Sequence, residues 1–470
     1  MRAKHLRCGQ LPSAGGERTR VGSHPCRRKK RKGRGTRQTA LARQGIAIFQ
    51  RQWSVISGQF AVRGLVVPRS QERDLGHPPA VDIVNMTYYD RIMSMRSDKS
   101  EPANQEIDCS VREATFGDYE AICQVKRRNG LGCEDYLDWV RLWNDNPFRL
   151  ELSVPIGWVL ESKTQGIVGT FSNIPRMYTF NCEPVRAAVA SAWAVDPHFR
   201  SAAIFLINKY FTQKNVDLFL NTTASPQAGV LFKAFKCKEI PGPSFARILF
   251  WITNYTGLAG TLLRKARVPA FAGMRHAAGI ALRCQDLAHL PKGRYQGKEI
   301  CLLPSFDERF DAIWELLCRR RGRLLAVRTR EALTWQFRPA PEYGAPVILG
   351  LLEGNSLSGY LIMKRYDQEQ FGLRRFRVVD IQALRDEAST ILSLMSAALE
   401  HAARCGVDVV EAIGFHESKR NFLERLNPRH RSLPSCPYLY RVSANSRLPL
   451  NALHEADAWD PSPFDGDAAL

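Results

Sequence analysis

The sequence contains a weak internal repeat, which limits the possible folds more than any other feature. In residues 114–130 a Phe precedes an Ala-Ile pair and an Arg-rich end before Gly, and residues 304–322 echo this order. A hairpin pattern at 157–171 has a counterpart at 350–364. Because the offset stays near about 190 residues, we interpret the chain as two copies of one α/β unit. Chance similarity between two ordinary α/β domains is the alternative.

The hydrophobic pattern of the first copy predicts alternating helices and strands. Apolar residues at helical spacing predict helices over 118–128 and 133–143, and Pro147 prevents the second helix from continuing. Gln165-Gly166 is a turn between two predicted strands, which makes them an antiparallel hairpin. The predicted strands lie at 109–114, 156–161, 166–171, 187–195, 216–221 and 246–252, with further helices at 202–214 and 227–235.

The second copy is marked most clearly by one amphipathic helix. Its apolar stripe consists of Ile391, Met395, Ala398, Leu399 and Ala402. A predicted strand at 407–413 follows this helix. Together the two copies predict an α/β protein with two mixed sheets and flanking helices.

The positive charge of the chain is concentrated at its N-terminus. The net charge is +21, but residues 1–85 hold 18 Lys or Arg against four Asp or Glu, which leaves only +7 for the remaining 385 residues. A self-repelling block at 27–32 favours disorder. The tail is either a solvated or nucleic-acid-binding arm or an upstream extension that is not translated. The predicted segments are a disordered basic tail at 1–107, units at 108–253 and 298–443, a helical linker at 254–297, and a mobile acidic tail at 444–470.

The twelve cysteines are scattered as single residues without metal-ligand spacing. They predict neither a zinc site nor a disulfide framework, and they fit a reducing cytoplasm. The sequence lacks an apolar run of about 18 residues, so we expect a cytoplasmic protein without a membrane span. The Arg-bearing stretch at 257–290 is interpreted as a linker helix, with peripheral contact to a membrane surface as the alternative.

The segment Ala194-Val-Asp-Pro-His-Phe-Arg-Ser-Ala-Ala203 carries the most chemical information. A strand ends, a proline follows, and an arginine leads into small residues that open a helix. The first amides of a helix have no internal partner, and the helix dipole adds positive charge there. This arrangement predicts a site for a pyrophosphate. An ordinary strand–turn–helix with a solvent-facing arginine is the alternative.

The residues Val195-Asp-Pro-His-Phe-Arg200 resemble the start of the acyl-CoA loop of the GNAT superfamily of N-acyltransferases. The hairpin at 156–176 and the strands at 185–193 and 216–221 resemble the central elements of that fold. The resemblance implies two GNAT-like units in tandem and transfer of an acyl group from acetyl-CoA or another acyl-CoA to a small-molecule or peptide amine. The cofactor-binding residues it implies are Trp193, Val195, Arg200, Ser201, Ala202, Ala203, Asn221 and Ser225.

Several positions depart from the family pattern. Ala203 and Phe205 stand where glycines are usual, and Phe232 occupies the place of a tyrosine that acts as general acid. The second unit lacks the proline and the small-residue turn after Asp380, and it has Leu423 at its tyrosine position. We therefore expect one cofactor site, in the first unit.

The catalytic residues are not identified by the sequence. Glu161, Asp196 and Asp217 are possible bases, although carboxylates of this kind are more often solvated. No metal is implied.

Two other functions stay open. A Fem-like aminoacyltransferase would use aminoacyl-tRNA, with RNA contacts near 264–283 and 319–323, although nucleic acid is otherwise expected only at the N-terminal tail. A degenerate tandem protein would bind a ligand or partner without catalysis.

Overall fold

The structure is a computed structural model, and it describes residues 108–242, 247–268, 271–287, 299–339, 344–385, 387–432 and 438–469. The predicted basic tail at 1–107 lies outside these residues. All described residues belong to one compact unit of the chain.

The first half of the chain alternates strands and helices close to the predicted positions. Its strands are β1 (Cys109–Glu113), β2 (Gly157–Ser162), β3 (Gly166–Phe180), β4 (Glu183–Val195), β5 (Leu218–Asn221), β6 (Lys238–Glu239) and β7 (Arg247–Ile252). Its helices are α1 (Tyr119–Arg128), α2 (Tyr136–Asn144), α3 (Arg149–Leu152), α4 (Ala203–Phe211) and α5 (Pro226–Ala234). The segment predicted as a helical linker contains α6 (Tyr255–Lys265) and α7 (Ala272–Gln285).

The second half repeats this order. Its strands are β8 (Glu299–Leu303), β9 (Leu324–Ala326), β10 (Val347–Glu353), β11 (Ser356–Arg365), β12 (Arg375–Ala383), β13 (Val409–Ala412), β14 (Arg429–Ser432) and β15 (Leu439–Val442). Its helices are α8 (Glu308–Leu317), α9 (Arg330–Gln336), α10 (Glu387–Arg404) and α11 (Glu417–Glu424). The predicted apolar stripe of α10 is confirmed, because all five of its residues are buried.

Two mixed sheets show the duplication directly. In the first sheet, β1, β2, β3 and β4 are antiparallel neighbours, and β5 pairs with β4 in parallel. In the second sheet, β8, β10, β11 and β12 are antiparallel neighbours, and β13 pairs with β12 in parallel. The predicted α/β class with two mixed sheets is therefore confirmed.

The closing strands are exchanged between the sheets, which corrects one prediction. Strand β7 was expected to close the first unit, but it lies between β13 and β14 of the second sheet. In return, β15 from the second half lies between β5 and β6 of the first sheet. Hydrophobic alternation identifies a strand and its buried face, but not its neighbour. The predicted segments 108–253 and 298–443 therefore do not each build a complete sheet.

The C-terminal segment is also different from the expected mobile acidic tail. Leu453, Trp459 and Phe464 are at most 3% exposed and belong to the largest core cluster of the protein. Asp460 pairs with Lys419 at 2.7 Å, and both side chains are 1% exposed. The acidic residues predicted a solvated tail, because the sequence does not show that a buried cation such as Lys419 pairs with them.

Three further expectations from the sequence concern disulfides, membrane-spanning helices and metal sites. The sulfurs of Cys123 and Cys133 are bonded as a disulfide, with the two Cα atoms 5.5 Å apart, whereas the scattered cysteines predicted none. Across the described part of the chain, no helix has the length and apolar character needed to cross a membrane. Among the same residues, no group of three or more His, Cys, Asp or Glu side chains could hold a metal ion.

Candidate functional site

The first sheet opens between β4 and β5. The two strands pair only from Ala187–Val189 to Leu218–Leu220, whereas β4 continues to Val195. We call the region beyond this short ladder the splay. It is bordered by residues 190–195 of β4 and by residues 221–223, of which Asn221 is the last residue of β5. The ladder with β5 stops at Val189, so residues 190–195 of β4 do not pair with β5.

The two faces of the splay have different surroundings. Ala188, Ala190 and Phe219 pack in a core cluster with α4 and α5, so we call this side the helix face. Val189 and Leu220 pack in the large cluster that includes Phe464 of the C-terminal segment, so we call the other side the tail face. Two different layers of the protein therefore approach the splay from opposite sides of the sheet.

A bulge distorts β4 at the splay. The register against β3 shifts between Thr170 and Ser172, so that Ala192 and Trp193 lie opposite Phe171 alone. Ala192 has a φ of 45°, in the left-handed region that few side chains adopt. A bulge of this kind redirects a side chain and interrupts strand pairing.

The predicted residue Trp193 has an unsatisfied polar atom. Its ring centroid lies 5.4 Å from that of Phe171 and 5.7 Å from that of Phe232, on the helix face. Its indole Nε1 is buried and has no hydrogen-bond partner among the described residues. A buried donor without an acceptor costs about 1–3 kcal/mol, so a ligand carbonyl at this position would restore a lost interaction.

The turn after Pro197 is more closed than the sequence predicted. Residues Pro197–Ala202 form a 3₁₀ helix that runs directly into α4. The Phe199 N–H donates to the Asp196 carbonyl at 2.9 Å, and the Ala203 N–H donates to the Arg200 carbonyl. The expectation of free amides over Arg200–Ala203 is therefore wrong. The i→i+3 hydrogen bonds of the 3₁₀ helix use the N–H groups of residues 200–202, and the Ala203 N–H is bonded to Arg200.

The side chains of this turn differ in their exposure. Arg200 and Ser201 are exposed, whereas Ala202 and Ala203, where the turn runs into α4, are buried. The Phe205 ring is 56% exposed and is therefore not packed into the turn. An anion at this place would meet the Arg200 guanidinium and the Ser201 hydroxyl before any backbone amide of Ala203.

The three carboxylates considered as bases are all held by arginines. Glu161 accepts from Arg112 Nε at 2.8 Å, and Asp217 accepts from Arg186 Nε at 3.0 Å. Asp196 follows β4 directly and is bound by Arg128 Nη2 at 2.7 Å. These pairings favour structural roles for all three.

The two predicted residues near the end of β5 have local partners. Asn221 is buried and its Oδ1 accepts from the Thr223 N–H at 3.2 Å. The Ser225 hydroxyl accepts from the Ala228 N–H at 3.2 Å and so caps the N-terminus of α5. Both therefore shape the end of β5 and the start of α5 beside the splay.

The sequence did not identify Asp467, which lies at the splay. The Thr223 hydroxyl is 2.8 Å from Asp467 Oδ1, and the Thr222 hydroxyl is 3.2 Å from the same atom. The Ser191 hydroxyl of β4 also hydrogen-bonds to this carboxylate. Burial raises the pKa of Asp467 above its usual value. The C-terminal segment therefore brings a carboxylate to the tail face of the opening.

The corresponding place in the second sheet is closed. Asp380 of β12 is fully buried, where Arg328 Nε donates to it at 2.9 Å and the Tyr360 hydroxyl donates at 2.9 Å. Asp465 of the C-terminal segment lies 3.8 Å from Arg328. These contacts belong to a packed ionic cluster rather than to an opening in the sheet.

No protein-family model matches the sequence, and a search of curated proteins found no match. Among solved structures, the chain is similar to a GCN5-related N-acetyltransferase from Anabaena variabilis, with 12% identity, a TM-score of 0.45, and coverage of 71% of this chain and 73% of that one. It is also similar to Saccharomyces cerevisiae N-myristoyltransferase with bound myristoyl-CoA, with 14% identity, a TM-score of 0.45, and coverage of 80% and 85%.

The similarity at these values supports no statement about activity, so the strand order decides the fold. Four antiparallel strands followed by a parallel, splayed fifth occur in the first sheet, and the same order recurs in the second. The chain has two α/β units of this strand order in tandem, and the order resembles that of the GNAT fold. The resemblance seen in the motif at 195–200 is thus matched by the architecture around it.

Proposed function

We propose that this protein is an acyl-CoA-dependent N-acyltransferase whose active site is the splay of the first sheet. The observation that carries the proposal is the placement of two groups on opposite faces of one opening. The buried Trp193 N–H without a partner lies on the helix face, and the Asp467 carboxylate lies on the tail face. A donor for an acyl carbonyl and an acceptor for an amine proton are the two groups that such a transfer needs.

The cofactor is held along β4 in this proposal. The pantetheine arm lies along residues 191–195 of β4, which do not pair with β5, and its amide or the thioester carbonyl accepts from Trp193 Nε1. The pyrophosphate meets the exposed Arg200 and Ser201 at the end of the strand. Ala202 and Ala203 contribute small side chains rather than free amides, since the Ala203 N–H is used within the turn.

The acceptor is a small-molecule or peptide amine that approaches from the tail face. Its nitrogen attacks the thioester carbon, the new N–C bond forms, and the C–S bond breaks to release CoA. Asp467 takes the proton of the amine, which its raised pKa favours over an ordinary solvated carboxylate. Phe232 has no acidic proton to donate, so the departing thiolate is protonated by water.

Calorimetry with acetyl-CoA tests the cofactor part of this proposal. We expect binding by the wild type and a loss of at least about tenfold in affinity for Arg200→Glu, because hydrogen bonds to a charged group contribute roughly 1.5–3 kcal/mol. Arg321→Glu is the matched control, since Arg321 is also exposed but lies in the second half. Failure of the wild type to bind any CoA ester would overturn the proposal.

A catalytically degenerate ligand-binding protein is the second candidate. Two observations favour it: the Ala203 amide is bonded within the chain, and Phe232 replaces a proton donor. Saturable acetyl-CoA binding without CoA release, across a broad panel of small-molecule and peptide amines, would support this candidate over the enzyme.

A further inference from the structure

The narrow end of the splay decides how much room an acyl group has. In the proposed function, the cofactor enters from Arg200 and follows β4 back from Val195 toward Ala190. Its acyl group then points to the place where β4 and β5 begin to pair, at Val189 and Leu220. We call this place the apex of the splay.

One side chain spans the apex from the helix face. Tyr210 of α4 is fully buried, and its hydroxyl lies 2.6 Å from the Ala188 carbonyl oxygen of β4 and 3.0 Å from the Leu220 carbonyl oxygen of β5. The hydroxyl therefore joins the two strands at the point where they separate. The one hydroxyl proton is shared between the two carbonyl oxygens, and Tyr210 fills the space between the strands at this level.

The Tyr210 ring is fixed by its neighbours. Its centroid lies 4.9 Å from that of Phe171, 5.0 Å from that of Phe211 and 5.2 Å from that of Phe219. Aromatic packing of this kind leaves little space for a chain of methylene groups. On the tail face, Val189 and Leu220 are at most 1% exposed, so the apex is closed there as well.

We propose that Tyr210 limits the acyl group to short chains such as acetyl and excludes medium and long fatty-acyl chains. This inference rests on the proposed function and adds the class of acyl donor to it. A longer chain would have to displace the Tyr210 ring and break the bridge between Ala188 and Leu220. Tyr210 acts here as the floor of the acyl site, not as a proton donor.

Binding of a series of CoA esters tests the inference. Acetyl-, butyryl-, hexanoyl- and octanoyl-CoA are titrated into the wild-type protein and into Tyr210→Ala. We expect the wild type to bind acetyl-CoA at least about tenfold more tightly than octanoyl-CoA, and Tyr210→Ala to reverse this order, because one methylene in an apolar pocket can change discrimination by about tenfold or more.

Three further variants separate the role of Tyr210 from a general loss of packing. Phe211→Ala removes a ring from the same cluster but away from the apex, so the wild-type order is expected to persist. Tyr210→Phe keeps the ring and is expected to keep the preference for acetyl-CoA. Tyr210→Leu fills part of the space left by the ring and is expected to shift the preference to butyryl-CoA. If Tyr210→Ala does not fold, this variant tests whether Tyr210 limits the acyl chain length.

The possible failures are distinguishable. Equal affinity of the wild type for acetyl- and octanoyl-CoA would overturn the inference while leaving the proposed function in place. An unchanged order in folded Tyr210→Ala or Tyr210→Leu would do the same. Absence of binding of every CoA ester to the wild type would overturn the proposed function and the inference together.

Discussion

Asp467 and Thr223 connect the C-terminal segment to the end of β5 through a hydrogen bond of 2.8 Å between Thr223 Oγ1 and Asp467 Oδ1. The two residues are 244 positions apart in the chain. The second half of the protein therefore supplies a carboxylate to the opening in the first sheet, and the site that we propose needs both halves.

Replacing this carboxylate should reduce turnover without abolishing cofactor binding. For Asp467→Asn we expect kcat to fall by about 10²-fold, the lower range for loss of a general base, with acetyl-CoA affinity within about threefold of the wild type. Wild-type kcat should rise with pH as Asp467 loses its proton. Because burial raises the pKa of Asp467, this rise, the limb of the pH profile, should occur at a higher pH than for an ordinary aspartate. The limb should be absent from Asp467→Asn. Glu455→Gln, an exposed change in the same segment, serves as control; equal kcat in both variants would contradict the assignment.

Removing the indole N–H of Trp193 should have opposite effects on stability and on binding. Trp193→Phe deletes a buried donor that lacks a partner among the described residues, so the free protein should keep its stability or gain about 1 kcal/mol. Acyl-CoA affinity should fall by about tenfold if a ligand carbonyl normally accepts this hydrogen bond. Denaturant titration and calorimetry measure the two effects.

A second tryptophan provides the contrast. Trp251 Nε1 donates to the Leu426 carbonyl at 3.0 Å, so Trp251→Phe should lose about 1 kcal/mol of stability without changing affinity. A loss of stability in Trp193→Phe as large as that in Trp251→Phe would show that the Trp193 N–H has a partner in the free protein.

The ion pair between Lys419 and Asp460 should be costly to break from one side. Both side chains are 1% exposed and 2.7 Å apart. Asp460→Ala leaves a buried ammonium without its carboxylate, for which we expect a loss of roughly 3–5 kcal/mol in the free energy of unfolding. The double variant Lys419→Met/Asp460→Leu should recover most of that loss. A loss under about 1 kcal/mol for Asp460→Ala would mean that the C-terminal segment is not docked in solution.

Asp465 should make stability depend on pH. Burial, opposed by Arg328, raises the pKa of Asp465 to about 7 in the folded protein. The folded state therefore holds a proton that the unfolded state has lost between about pH 4 and 7, and stability falls as the pH rises through this window. The penalty for ionising this group is on the order of 4 kcal/mol. Denaturant titrations at several pH values give the free energy of unfolding as a function of pH. Between about pH 4 and 7 this free energy should fall less steeply with pH for Asp465→Asn than for the wild type. Equal pH dependence in the two proteins would contradict the prediction.

The sequence predicted the elements of the fold better than their partners. The stripe from Ile391 to Ala402 follows a helical period, and each of its residues is buried as expected. The same reasoning could not place β7 or β15, because alternation is satisfied equally well in either sheet. Strand pairing over such distances is decided by the tertiary structure.

The candidate site was predicted only in part for a related reason. Trp193 was implied by the resemblance of the strand at 185–193, but the sequence does not show that its indole N–H lacks a partner, because this depends on packing against Phe171 and Phe232. Asp467 lies in the segment 444–470, which its acidic residues led us to predict as a mobile, solvent-exposed tail. The apolar residues Leu448, Leu453, Trp459 and Phe464 in that segment were the signal that could have indicated docking.

The exchange of β7 and β15 has a consequence for biosynthesis. When the first half leaves the ribosome, β5 has an open edge, and it stays open until residues 439–442 have been translated. The backbone N–H and C=O groups of β7 likewise have no strand partner until β13 and β14 have been translated. Neither sheet can be completed ahead of the other half, so both are complete only after residues 439–442 have been translated.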